Sequence, residues 1–294
     1  MTKQEWRRMG LGLIFISPWI IGFLAFTLYP MIASAYFSFT DFNVLNFNPD
    51  WLGLDNYKEM FQFDRWFKQS LGVTFRYALM VIILGNLVTI PTAMLLNAKV
   101  RGLSFYRTFL FLPVVTPAVA SAITWVWILN PKHGLINGIL ASVGIQGPYW
   151  LASPQTALIS IVIVAIWHSG QAILIYLAGL QDIPTHLYEA AEIDGASFLS
   201  QIRHITIPLL TPQILFNVIT GIIGALQEFS GPYIMTGGGP NNSTLMYGLH
   251  LYRRAFLDLQ MGYASAMAWL LFIVILALTI IMLRTSQRWV FYGR

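Results

Sequence analysis

The sequence predicts an all-α, polytopic integral membrane protein with six transmembrane helices, and three observations predict it. Hydrophobic residues make up 56% of the 294-residue chain and charged residues 10%, against roughly 25% charged in a soluble domain. Mean hydropathy is +0.64. The charges are also segregated: residues 9–40, 77–98, 108–131, 133–181, 204–227 and 259–283 contain no Asp, Glu, Lys or Arg. A helix of roughly 20 apolar residues suffices to cross a bilayer.

Taken in order, the first run follows Lys3, Arg7 and Arg8 and reaches Ala33-Ser34-Ala35, which imitates a secretory signal with a cleavage site. It is about twice the length of a signal core, so it is expected to stay as an uncleaved first span over about residues 9–40. The second run starts after Arg76, whose place at a membrane edge is explained by snorkelling. The third is 108–131. The long run 133–181 is interrupted by "GIQGPYWLASP", a turn-forming stretch, so only about 156–180 is expected to cross. Residues 204–227 and 259–283 supply the fifth and sixth spans. Pro91, Pro113 and Pro117 fall inside or at the edges of spans. They read either as ordinary membrane prolines or as bends lining a watery cavity that satisfies the freed carbonyls. A single membrane domain over 1–294 is the simplest division, with core spans over about 71–284 and the first span as a peripheral addition.

Lys and Arg placement orients the spans. With both termini inside, ten cations fall on the inner side: Lys3, Arg7, Arg8, Lys99, Arg101, Arg107, Arg203, Arg284, Arg288 and Arg294. Seven fall outside: Lys58, Arg65, Lys68, Arg76, Lys132, Arg253 and Arg254. The net charge of +5 is therefore a topology signal, and nucleic-acid binding is a poor reading of it. Trp51, Trp66, Tyr149 and Trp150 lie in the outer segments and read as interfacial belt residues or as contacts to an outer partner.

Chemistry motifs are sparse. None of the five lysines follows a glycine, so there is no G-x-x-x-x-G-K-[ST] phosphate loop. No G-x-S-x-G or H-E-x-x-H occurs, the five histidines are scattered, and there are no cysteines. The chain is expected to bind no cofactor or metal and to be no enzyme.

The charged exception between two apolar runs is "LYEAAEIDGASFLSQIRHITIPLLTP", Leu187 to Pro212, within a loop of about 182–208. Pro184 ends the preceding span, Thr185 is expected to cap a helix to about Asp194, Gly195 supplies a left-handed stop, and Ser197 caps a second short helix toward Pro208. Ala190 and Ala191 thin one face while Glu189, Glu192 and Asp194 add acceptors. Such a helix suits a groove in a soluble partner with a basic rim. An amphipathic helix on lipid is the alternative, although lipid surfaces favour Lys and Arg on the polar face and this helix has none.

Leu187 and Tyr188 lead into Glu189-Ala190-Ala191, followed at the family spacing by Gly195, Ile205 and Pro208, with Ile207 where leucine is usual. This stretch resembles the signature loop of the permease subunits of binding-protein-dependent ABC importers. "SFTDF" at 38–42, "GLDNY" at 53–57, and "MTGGGPNNST" at 235–244 with "YASA" at 263–266 narrow the likeness to the maltose-type carbohydrate importers. The resemblance spans nearly the whole chain. It implies that Leu187, Tyr188, Glu189, Ala190, Ala191, Asp194, Gly195, Ile205 and Pro208 couple the chain to cytoplasmic ATPases. It further implies a second homologous permease, two ATPase subunits holding ATP and Mg, an extracytoplasmic solute-binding protein, and residence in the cytoplasmic membrane of a prokaryote.

Polar residues at membrane depth are costly and hence informative. Trp167, His168 and Gln171 in the fourth span and Asn217, Gln227 and Glu228 in the fifth are candidates for the solute pathway, or for helix-to-helix hydrogen bonds. His168 and Gln171 are spaced for one helical face, and Glu228 is the one carboxylate assigned to a span. Amides and a carboxylate suit sugar hydroxyls, and aromatic rings suit the less polar sugar faces. The expected function is alternating-access import of a sugar or sugar-derived solute, with an ion-coupled secondary transporter as the alternative.

Overall fold

The structure, a computed structural model, describes residues 3–45, 48–98 and 102–291. Among the topology cations, Lys99, Arg101 and Arg294 lie outside the described residues, as do the side chains of Lys3, Arg7 and Arg8. The chain is helical, and an isolated antiparallel bridge joins Thr40 to Trp51. It sorts into two compact units: Met1–Asp64 with Leu251–Phe272, and Arg65–His250 with Ile273–Arg294.

The first unit opens with α1, Lys3–Phe23, continued by a π-helical turn Leu24–Leu28 and by α2, Tyr29–Phe37. Pro30 explains the wide turn: proline has no N–H and its ring crowds the preceding turn, and an extra residue in that turn relieves both. Leu11–Phe37 is long and apolar enough to cross a membrane and is not buried by the rest of the chain. After α3, Asp55–Gln62, this unit is held by polar contacts between distant segments. Asn56 Nδ2 donates to the Ser38 and Thr40 carbonyls at 2.9 and 2.8 Å, and the Gly262 amide donates to the Phe42 carbonyl at 2.9 Å. Asp64, with its side chain 1% exposed, accepts from Arg254 Nη2 at 3.0 Å and from Tyr263 Oη at 2.7 Å. Burial opposes the Arg254 charge, but the hydrogen bond and charge of Asp64 outweigh it, and the guanidinium is held above its ordinary range.

The second unit is organised by α4, Arg65–Asn97, which tolerates Pro91 in its interior. α5, Leu103–Val115, and α6, Ala118–Ile128, follow, then α7, Leu135–Ser142, α8, Ala157–Trp167, and α9, Gly170–Gln181. Their core joins Ala93 and Leu96 of α4 with Ile173, Tyr176, Leu177 and Leu180 of α9, together with Ile183 and Leu210. Small residues let helices approach, as membrane bundles require. A Cβ at Gly170 would stand 2.7 Å from the Leu110 carbonyl oxygen.

Three helical segments are long and apolar enough to cross a membrane: Leu11–Phe37, Arg65–Asn97 and Met261–Ser286. Three bent pairs bring the number to six when each pair counts as one crossing. The expected third span over 108–131 is not a continuous helix. It bends by 105° between α5 and α6, because Thr116 is extended at ψ 128°, the conformation a following proline imposes. The fourth breaks by 47° after Trp167, and the fifth is preceded by a 63° bend at Leu210.

Candidate coupling loop and solute pathway

The loop begins where Pro184, extended at ψ 128°, stops the chain from continuing α9. α10 runs Thr185–Ile193 with Pro184 as its N-cap and no side-chain cap, so Thr185 is the first helical residue and not the cap expected of it. The C-terminal stop is as expected. Gly195 takes φ +75°, its amide donates to the Glu192 carbonyl at 3.0 Å, and the Ala196 amide donates to the Ala191 carbonyl at 2.8 Å. These two bonds form a Schellman closure. Ser197 Oγ then accepts from the Ser200 amide and caps α11, Phe198–Gln201. A π-helical turn Ile202–Thr206 leads into α12, Ile207–Leu209, which carries Pro208 in its first turn. The wide turn ahead of a proline repeats the device at Pro30.

One side of this loop is rooted in the membrane core and the other is bare. Leu187, Tyr188, Ile205 and Leu209 pack on the cluster of Ala93, Leu96, Tyr176 and Leu210, and Tyr188 Oη lies 3.0 Å from Thr206 Oγ1. Glu189, Ala190, Glu192, Asp194 and Gly195 are exposed. So are three large apolar side chains that the sequence reading passed over: Ile193 at 88%, Phe198 at 72% and Leu199 at 75%. Their signal was available, since apolar residues flanking a glycine turn in a polar loop have no core to join.

The pathway candidates fall in four places. Trp167 and His168 close α8. Trp167 packs edge-on against Trp125 with ring centroids 5.5 Å apart, and His168 Nε2 lies 2.7 Å from Ser121 Oγ. A cavity of about 400 Å³ opens here, lined by Thr116, Ser121, Thr124, Trp125 and Trp167 with Ile128, Leu135 and Ile136. Ser121, Thr124 and Trp125 were missed by sequence reasoning; they reach the cavity through the bend at Thr116-Pro117. Gln171 is exposed in α9, beyond the break at Ser169, so the helical spacing expected to align it with His168 is interrupted.

Asn217 belongs to α13, Thr211–Leu226, and lines a separate cavity of about 130 Å³ with Asn86, Thr89 and Ser169. Its Nδ2 donates to the Ala172 carbonyl at 3.5 Å, while Tyr176 Oη donates to Asn86. Gln227 and Glu228 follow the end of α13, so Glu228 stands in a helix break and not within a span. Its Oε1 accepts from the Gly231 amide at 2.8 Å, which helps start α14, Ser230–Met235. The glycine-rich turn beyond is tied down. Thr236 and Thr244 hydroxyls lie 2.7 Å apart, Thr244 donates to the Gly239 carbonyl at 2.8 Å, and Gln69 donates to the Asn242 carbonyl at 3.1 Å. α15, Tyr247–Tyr252, and α16, Met261–Ser286, complete the chain.

Comparison with known proteins shows the family. Residues 82–291 match the family described as binding-protein-dependent transport system inner membrane component. A probable ABC transporter permease protein of Bacillus subtilis, YesP, is 44% identical over 285 residues, covering 96% of this chain and 92% of the relative. The trehalose/maltose transport system permease protein MalF of Thermococcus litoralis is 33% identical, with 97% of each covered. Among solved structures, a chain of a bacterial ABC transporter involved in the import of the acidic polysaccharide alginate superposes with a TM-score of 0.86 at 24% identity, covering 97% of this chain and 98% of that one; this likeness speaks to the fold alone. The chain belongs to the family of inner membrane components of binding-protein-dependent transport systems.

Proposed function

We propose that the chain is a permease subunit of an ATP-driven importer of a sugar or sugar-derived solute in the cytoplasmic membrane of a prokaryote. Its termini and the loop of about 182–208 face the cytoplasm. It pairs with a second homologous permease, two ATPase subunits that hold ATP and Mg, and an extracytoplasmic solute-binding protein. The observation that carries this reading is the loop itself, built rigidly on the membrane core yet offering Ile193, Phe198 and Leu199 to a partner. Large apolar side chains exposed together mark a docking surface.

In this reading the ATPases grip α10 and α11, and their closure moves the loop as a unit. Leu187 and Tyr188 pass the motion to Leu96, Tyr176 and Leu210, which belong to or adjoin α4, α9 and α13. The break after Trp167 and the bend at Leu210 supply hinges along that route. Trp125 and Trp167 cover apolar sugar faces in the 400 Å³ cavity, with Ser121 and His168 offering hydroxyl partners. Gln171, Asn217, Gln227 and Glu228 extend the polar lining when the second permease closes the path. Each ligand shifts the inward and outward states only through its different affinity for them.

Uptake into proteoliposomes holding the chain with its co-purifying subunits tests the reading. Uptake that needs internal ATP and survives collapse of ion gradients supports it. Uptake that persists without ATP and is abolished by an ionophore contradicts it.

A further inference from the structure

A groove of about 470 Å³ runs along one face of α5, lined by Ser104, Arg107, Thr108, Phe111, Leu112 and Val115. These positions recur every three or four residues, so they form one continuous stripe of the helix. The stripe changes character along its length. Its first half is polar and cationic, and its second half is purely apolar. Over eleven residues at 1.5 Å rise the stripe extends roughly 16 Å, about half the thickness of a bilayer hydrocarbon core.

Arg107 gives the polar half its chemistry. Its Nε is buried and has no hydrogen-bond partner among the described residues, an expensive condition for a charged donor. Thr108 spends its proton on the Ser104 carbonyl at 2.9 Å, so its oxygen cannot also donate, whereas Ser104 brings a further hydroxyl to the groove that Arg107 lines. Among the described residues nothing anionic lines the groove. Beside it Phe105 and Phe109 pack together with centroids 4.7 Å apart and are 64% and 60% exposed, a surface suited to acyl chains.

We infer that this groove is a binding site for one anionic phospholipid. The phosphate accepts from Arg107 and Ser104, and the first part of an acyl chain lies along Phe111, Leu112 and Val115. Basic pockets beside transmembrane helices bind anionic headgroups by this combination of charge and apolar continuity. An acidic segment of a partner chain would match the cation but leave the apolar half without an occupant.

The test uses the full chain in the complex in which it purifies, placed in nanodiscs of phosphatidylcholine with or without phosphatidylglycerol. Lipid retained after gentle detergent release is counted by native mass spectrometry. Both leaflets carry the lipid, so the assay reads the site whichever side it faces. The expected result is selective retention of phosphatidylglycerol, lowered roughly fivefold in Arg107→Gln, the factor for one cation at an anionic surface. Retention is partly kept in Arg107→Lys and unchanged in Arg288→Gln. Thr108→Trp keeps the charge and fills the groove, so it also displaces the lipid, which covers the case of a misfolded Arg107 variant. Equal retention by wild type, Arg107→Gln and Thr108→Trp overturns the inference. Competition by inorganic phosphate without any lipid preference, or cross-linking of Thr108→Cys to a partner subunit through this groove, overturns it as well.

Discussion

Tyr188 Oη and Thr206 Oγ1 lie 3.0 Å apart, joining the first helix of the exposed loop to the π-helical turn that returns the chain to the membrane. Thr206 is 3% exposed. The bond therefore closes the base of the loop beside a buried hydroxyl, which would otherwise keep only its long 3.4 Å bond to the Gln201 carbonyl. It makes the two arms of the loop one body.

Tyr188→Phe removes that bond and keeps the ring. The thermal unfolding free energy is expected to fall by about 1 kcal/mol. ATP hydrolysis by the assembled complex should continue while solute uptake per ATP declines. Unchanged coupling with an unchanged melting temperature would show the bond to be dispensable.

Gly262 tests the lock of the first unit. A Cβ there would stand 2.1 Å from the Thr40 carbonyl oxygen and 3.0 Å from the Phe42 amide nitrogen. Both neighbours are backbone and cannot swing aside. Gly262→Ala is expected to cost about 2 kcal/mol, measured by thermal unfolding, whereas Gly224→Ala, with nothing within 4 Å of its Cβ, should cost nothing.

Asp64→Ala strips the acceptor from Arg254 and Tyr263 together. Arg254 keeps Gln260 Oε1 at 3.0 Å and Asp258 at 3.6 Å, so losing the charged hydrogen bonds of buried Asp64 is expected to cost about 2 kcal/mol. Asp64→Asn, which keeps an acceptor oxygen, should recover part of the loss. Equal melting temperatures for wild type and Asp64→Ala would remove the cluster from any account of stability.

Glu228 separates a structural from a transport role. Glu228→Gln retains an acceptor for the Gly231 amide and loses the charge, while Glu228→Ala loses both. Each is expected to assemble normally and to take up solute more slowly, with Ala the worse. Wild-type uptake kinetics for both variants would take Glu228 out of the pathway.

Local chemistry made part of this architecture readable in advance. Gly195, Ser197 and Pro184 act on their own neighbours, so the helix, glycine stop and second helix could be read from residue types, with only the cap at Thr185 misplaced. Charge-free runs marked where apolar helices lie because the bilayer sets one length for all of them. The 105° turn at Thr116-Pro117 was harder. A proline dictates an extended residue before it but not the direction in which the helix resumes, and that direction is what brings Ser121 and Trp125 to Trp167 and His168. Asp64, Arg254 and Tyr263 gave no warning at all, since up to 199 residues separate the partners. Glu228 was assigned to a span because it abuts a charge-free run, and its side chain instead helps start the next helix.

The claim that the exposed loop is the ATPase contact is tested most directly by co-purification. Wild type, Gly195→Asp and Phe198→Asp would be extracted mildly from the native host, and the ATPase subunits retained per chain would be counted. Gly195 has open space around it, so the new carboxylate acts at the loop tip and not in the core, but its left-handed backbone strains any side chain, and Phe198→Asp tests the surface without that strain. The account predicts that wild type retains its ATPases while both variants lose most of them, with the melting temperature of the membrane part preserved. Full retention by both variants, or a wild type that carries no ATPase, would contradict it.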